Sequence, residues 1–297
     1  MPTRRTILLT GATGSIGGVL LPRLLAAGHE VRCLVRDRER ARDRLPEAAI
    51  LVEGDVLTGD GLDEAARGAD VAYYLVHSMG GGSAKDFAER DRRAARTFGE
   101  AMARHDVGRT VYLGGLEGGD SEHLRSRAEV AEVLTETAPG AVHVRAAMVV
   151  GADSASFQML RGLVERLPVM LTPKWLESRS QPVAIEDVTK TLAALAVHDD
   201  PPAEVQLGGA DVLTYRDMIR RYARVAGRRE PVLVKVPLFT PRLSSYWVAL
   251  ITPVDLGLVQ PLVEGLHAET VVRTPPPPGL NDAPLGFDEA VRAALAG

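Results

Sequence analysis

Short apolar runs alternate with stretches of helical periodicity through the first half of the chain. Runs at 6–10, 31–35, 50–53, 70–76, 109–113 and 141–145 read as strands. The stretches 18–27, 86–104 and 121–137 read as helices. Within 86–104, Phe87, Ala94, Ala95, Phe98 and Met102 recur near the helical period, while Arg90, Arg92, Arg93 and Arg96 mostly face away. Strands alternating with helices at this spacing predict βαβ units with right-handed crossovers. The predicted fold class is therefore α/β, with a doubly wound parallel sheet.

After Gly151 the alternation loosens. A helix is predicted at 156–166, a short strand or turn at 167–173, and a helix with an acidic start at 186–196. Residues 204–207 read as a late strand returning to the main sheet. Thr214 is the expected N-cap of a helix over 215–226. A short strand at 232–236 precedes a helical, proline-broken stretch up to 271. Four prolines at 275–278 predict a stiff spacer before a last helix at 288–295.

The stretch with the most chemistry follows the first strand: Gly11-Ala12-Thr13-Gly14-Ser15-Ile16-Gly17. Strand, tight glycine turn and helix form the context in which such a loop binds a dinucleotide. Gly11 lets the chain turn off the strand end. Gly14 lets backbone N–H groups approach a diphosphate, and Gly17 lets the helix pack closely. The helix N-terminus then offers unpaired N–H donors and a positive dipole end.

Composition narrows the picture. With 297 residues, 45% apolar and 25% charged, the chain suits one large or two modest domains. The net charge of −4 gives no general attraction to nucleic acid or to an anionic membrane. Cys33 is the only cysteine, so no disulfide framework or cysteine-based metal site is expected. The histidines are scattered with no His-x-x-x-His pair, so no zinc site is expected either. The first residues run directly into a strand and leave no room for a signal peptide, which predicts a cytoplasmic protein. The apolar stretch 246–263 is broken by Pro253, Asp255 and Pro261 and does not read as a membrane span.

Several local patterns together resemble a known superfamily. They are the glycine loop, Gly54-Asp55-Val56 after the third strand, residues 181–188 and residues 207–215. Residues 75–80, 123–127 and 145–151 add to the match. The chain resembles the short-chain dehydrogenase/reductase superfamily, and more narrowly its atypical, NmrA-like NAD(P)H-binding branch. The resemblance implies a Rossmann core over 1–151, completed by strands near 183–185 and 204–207. It also implies a smaller substrate-covering region from 152–182 and 210–297. Cofactor contacts would come from Gly11, Thr13, Gly14, Ser15, Ile16 and Gly17 of the loop. Asp55 and Val56 would edge the adenine, and Val76, His77 and Ser78 would lie beside the ribose. Gly54-Asp55-Val56 is also readable as a plain turn.

An NAD-preferring site usually ends its second strand in an acidic residue. Arg36 stands there instead, followed by Asp37. Arg36 can meet a 2′-phosphate with a planar charged fork, which makes NADPH the expected cofactor and NADH the second choice. The neighbouring Arg38, Arg40, Arg42 and Arg44 read as the solvated face of a charged helix.

Common members of the superfamily use Ser or Thr, Tyr and Lys for catalysis. In this chain the hydroxyl position falls on Gly114, Gly115 or Leu116. By the same resemblance His123 takes the Tyr place and Arg127 the Lys place, one helical turn apart. His123 can donate a proton near neutral pH, and Arg127 can hold ribose hydroxyls but cannot shuttle a proton. The same two residues also read as cap and ion-pair partners of a helix start. Trp175 is a candidate lid, and the aromatics around Phe239, Tyr246 and Trp247 either line an apolar pocket or pack the small lobe. Two functions stay open. One is an NADPH-dependent reductase of a small or medium apolar molecule with an activated C=C, C=N or C=O bond. The other is a catalytically silent NAD(P)H-binding sensor, regulatory or assembly protein. The expected partner is a small-molecule substrate, with no nucleic acid or membrane, in a monomer or homodimer.

Overall fold

The computed structural model of the chain describes residues 4–76, 84–116, 122–172, 174–235 and 269–296. Strands β1 (Thr6–Thr10), β2 (Glu30–Val35), β3 (Ile50–Glu53), β4 (Val71–Tyr74), β5 (Arg109–Gly115) and β6 (Ala141–Ala146) alternate with helices. With β11 (Glu204–Leu207) they form one sheet in the order β11-β6-β5-β4-β1-β2-β3, parallel throughout. Its two wings run outward from β1 and β4, so the chain reverses its winding between those two strands. In an open α/β sheet that crevice is where ligands sit.

Alternate residues of each strand feed two cores. Ile7, Leu9, Tyr73 and Val111 pack with Leu20, Leu21 and Leu24 of α1 (Ser15–Ala26) and with Val188 and Leu192 of α7 (Ile185–Leu195). Leu8, Tyr74 and Tyr112 pack on the other face with Phe98 and Met102 of α4 (Ala84–Arg104) and with Leu134 of α5 (Glu122–Thr137). Leu62 and Ala65 of α3 (Leu62–Ala66) complete that side. Burial on both faces explains why the strands read as continuous apolar runs. On α4 the predicted stripe is buried at Ala94, Ala95, Phe98 and Met102, and Arg90, Arg93 and Arg96 are exposed. Arg92 is half-buried and pairs with Glu129 of α5.

A third core lies outside the sheet. Phe157 and Leu160 of α6 (Ala155–Arg166), Met218 and Tyr222 of α8 (Tyr215–Val225), and Phe287 and Val291 of α9 (Phe287–Ala296) form it. Thr214 caps α8 through a reciprocal capping box with Asp217. Arg221 of α8 reaches Asp288 of α9 at 2.7 Å. The buried carboxylate of Asp187 accepts from the Leu285 N–H at 2.7 Å and fixes the start of the C-terminal segment on α7. Among the described residues no helix is long and apolar enough to cross a membrane.

The structure departs from the sequence expectations at one place. Residues 183–185 do not join the main sheet. β10 (Val183–Ala184) pairs instead with β7 (Val149–Val150) in a separate ladder. The reason is occupancy: β11 already covers the free edge of β6, and the Ala147 N–H bonds the Leu207 carbonyl, so only the chain beyond Ala147 is open to pairing. The glycines at 114 and 115 are the last two residues of β5 and pair opposite Arg145 and Ala146. As expected, the stretch at 167–173 contains a short strand, β8 (Val169–Thr172), which runs parallel to β13 (Val232–Lys235). Short β9 (Arg179–Ser180) and β12 (Leu213–Thr214) pair antiparallel nearby.

Candidate functional site

The glycine turn sits over the β1–β4 crevice. The Thr10 hydroxyl donates to the Tyr73 carbonyl at 2.9 Å and accepts from the Leu75 N–H at 3.1 Å, which locks the two strand ends together beneath it. Gly11 adopts φ +69, and a Cβ there would lie 2.5 Å from the Leu75 carbonyl oxygen. A Cβ on Gly17 would lie 2.2 Å from the Gly11 carbonyl oxygen. Both glycines are therefore demanded by the fold itself. Gly14 differs. A Cβ there would meet only the Gly11 carbonyl oxygen, at 3.3 Å, and the residue is exposed. Its open side faces outward, where a ligand would approach.

Gly14 is also the N-cap of α1 and supplies no side-chain acceptor. The first turn holds no acidic residue and Arg23 sits in the last turn. The N–H groups and the positive end of the dipole at this helix start are suited to an anion. Thr13 is exposed, Ser15 is half-buried, and Ile16 packs on the core beneath.

At the end of β2, Arg36 is exposed and makes no hydrogen bond or ion pair among the described residues. Asp37 is committed elsewhere. It caps α2 (Arg38–Arg42), its carboxylate accepting from the Arg40 N–H at 2.9 Å. Arg44, read from sequence as part of a solvated face, donates to the Thr13 carbonyl at 3.1 Å. No sequence signal marks that contact, because it depends on how α2 turns back toward the glycine loop.

After β3 the chain makes a close turn. Asp55 accepts from the Leu57 N–H at 2.7 Å, and the Asp55 N–H bonds the Asp60 carbonyl at 3.0 Å. Val56 and Val76 are partly buried against the α4–α5 core. His77, Ser78, Phe239, Tyr246 and Trp247 lie outside the described residues, as do the side chains of His123 and Trp175.

The ends of β5 and β6 bring together residues that are distant in sequence. Arg127 of α5 is half-buried; its Nε is fully buried and has no hydrogen-bond partner among the described residues. Its carbonyl accepts from the Tyr112 hydroxyl at 3.3 Å. His143 stacks on Tyr112 with ring centroids 5.1 Å apart. A Cβ on Gly114 would lie 2.6 Å from His143 Nε2, so the imidazole fills the space a side chain at residue 114 would need. Burial, and then the charge of Arg145, push the His143 imidazole down to about 4, so it is neutral at pH 7. Burial pushes the Tyr112 hydroxyl up to about 12. Arg145 itself pairs with Glu204 at 2.8 Å.

A glycine cradle at the switch point of a parallel sheet calls for a dinucleotide, and residues 11–149 match the family model described as NAD(P)H-binding. The match covers the glycine turn and strands β2 to β6. Curated relatives of the chain include the mitochondrial NADH-ubiquinone oxidoreductase 40 kDa subunit of Neurospora crassa, 23% identical over 80% of this chain. The match spans 64% of that subunit's own length. The ceramide reductase of Caulobacter vibrioides is 27% identical over 86% of this chain and 82% of its own. Among solved structures, a nucleoside-diphosphate-sugar epimerase from Staphylococcus aureus shares the fold with a TM-score of 0.76 at 15% identity, covering 97% of this chain and 99% of that one.

Proposed function

We propose that the protein is an NADPH-dependent reductase acting on a small or medium apolar molecule with an activated C=C, C=N or C=O bond. When bound, the reduced nicotinamide supplies the hydride. The chain's own residues bind, orient and supply the proton. The start of α1 and the open face of Gly14 hold the diphosphate. Arg36, with Arg44 close to the glycine loop, takes the 2′-phosphate, and Asp55 and Val56 edge the adenine. Val76, His77, Ser78 and Arg127 flank the nicotinamide ribose. His123 delivers the proton to the reduced substrate.

The observation that carries the cofactor choice is the division of labour at the end of β2. The Asp37 carboxylate accepts from its own helix start, and Arg36, exposed beside it, makes no hydrogen bond or ion pair among the described residues. The ceramide reductase relative supports reduction as the reaction class. The experiment is NADPH oxidation followed against a panel of enones, imines and quinones, with His123→Ala and Arg127→Ala alongside. Turnover on one class that falls in both variants supports the reading.

One observation favours a second reading, a cofactor-binding protein without turnover. A side chain at residue 114, one of the three positions where the superfamily's hydroxyl would fall, has no room beside His143. Tight NADPH binding with no oxidation on any member of the panel would establish that alternative.

A further inference from the structure

The small lobe repeats a short pattern. Arg166-Leu167-Pro168-Val169 opens β8, and Arg229-Glu230-Pro231-Val232 opens β13. The two strands are parallel and in register, with Val232 opposite Val169, and the Val232 N–H bonds the Pro168 carbonyl at 2.9 Å. The two Arg-x-Pro starts therefore lie side by side at one end of a two-stranded sheet.

That sheet has two unlike faces. Met170 and Leu233 pack inward on the third core. Val169, Val232 and Val234 point the other way and are 49%, 56% and 42% exposed. The remaining exposed large apolar residues among those described, Val19, Ile50, Val197 and Val212, belong to other elements and loops. Scattered exposed valines need no account, but three on one face of one small sheet do.

The surroundings of this face are basic. Segments 161–169 and 224–232 together hold five arginines and two glutamates. Both glutamates are engaged: Glu165 accepts from the Tyr222 hydroxyl at 2.8 Å and lies 3.4 Å from Arg161, and Glu230 lies 3.9 Å from Arg224. Arg166, Arg228 and Arg229 are exposed at the strand starts. The net charge of −4 over the whole chain does not cancel this, because charges farther than about 8 Å are largely screened at physiological ionic strength.

We propose that the outer face of the β8–β13 sheet, with Arg228 and Arg229 at its rim, docks the protein on an anionic lipid bilayer. The arginines meet lipid phosphates and the three valines enter the headgroup boundary. An exposed apolar face rimmed by arginines is complementary to that surface on both counts. The assignment goes beyond the reductase reading and does not depend on it.

The test is co-sedimentation of the full chain with vesicles of phosphatidylcholine alone and of phosphatidylcholine mixed with phosphatidylglycerol. Binding is expected to the mixed vesicles and to weaken as salt is raised. The double variants Val232→Ser/Val234→Ser and Arg228→Glu/Arg229→Glu should each lose about tenfold or more in affinity. Unchanged thermal midpoints of both variants certify their fold. Absence of binding to mixed vesicles, equal binding to neutral ones, or wild-type binding by both variants overturns the proposal. So does a lipid-free dimer that Val232→Ser/Val234→Ser dissociates, which would make the face an interface between copies. Failure of the reductase reading shows in the oxidation panel and leaves the vesicle result untouched.

Discussion

The imidazole of His143 fills the space that a side chain at residue 114 would need, with Nε2 only 2.6 Å from an ideal Cβ built on Gly114. The two residues lie on adjacent strands, where Tyr112 pairs with His143 and Gly114 with Arg145. The imidazole cannot swing aside freely, because it is buried and stacked on Tyr112.

Gly114→Ala should therefore destabilise the fold by about 1–3 kcal/mol, as overpacking of a core does. Combined with His143→Ala it should cost less than the two single changes added together. Urea unfolding of the two single variants and the double variant measures this. Strict additivity would show that the two sites do not share that space.

His143 also makes stability depend on pH. Its folded value is lowered from 6.5 to about 4, so between those values the unfolded chain binds the extra proton and the folded chain does not. The contribution is fully present above pH 6.5, falls as pH drops through that window, and is exhausted near pH 4. At ~1.4 kcal/mol per pH unit the loss amounts to about 3 kcal/mol. Denaturant midpoints across that range should fall less steeply in His143→Gln than in the native chain.

The loop glycines should separate fold from binding. Gly17→Ala drives a Cβ into the Gly11 carbonyl and should lower stability by about 2 kcal/mol or more. Gly14→Ala meets that oxygen only at 3.3 Å and should leave the thermal midpoint nearly unchanged while weakening NADPH binding. Thermal melts and NADPH fluorescence titrations on the same samples test both halves.

Arg36→Ala should reduce the preference for NADPH over NADH by about 10- to 100-fold, the worth of a hydrogen bond to a charged group. Asp37→Ala should leave that preference alone and cost ~1 kcal/mol of stability through the lost cap. The readout is the ratio of the two dissociation constants. An unchanged ratio in Arg36→Ala removes Arg36 from the 2′-phosphate site.

Local pattern along the chain was enough to find the sheet strands, the helices that cover them, the glycine turn and the Thr214 cap. These depend on residues within one or two turns of each other: apolar runs buried on both faces, a helical stripe, a turn that only glycine can make. The remainder depended on neighbours across the fold. Val183–Ala184 looks like another sheet strand, but β11 had already taken the edge it would need. Sequence favours Arg36 over Asp37 at the end of β2, but only the start of α2 shows that the Asp37 carboxylate is taken up by the Arg40 N–H. Arg44 reaches Thr13, and His143 reaches Gly114, across 31 and 29 positions of chain. The sequence by itself determined that a dinucleotide fold would form and where its cradle would lie, because those rest on periodicity and backbone sterics. Which side chains surround the cradle, and that an imidazole fills the space beside Gly114, was decided by strand register and packing, which exist only once the chain has folded.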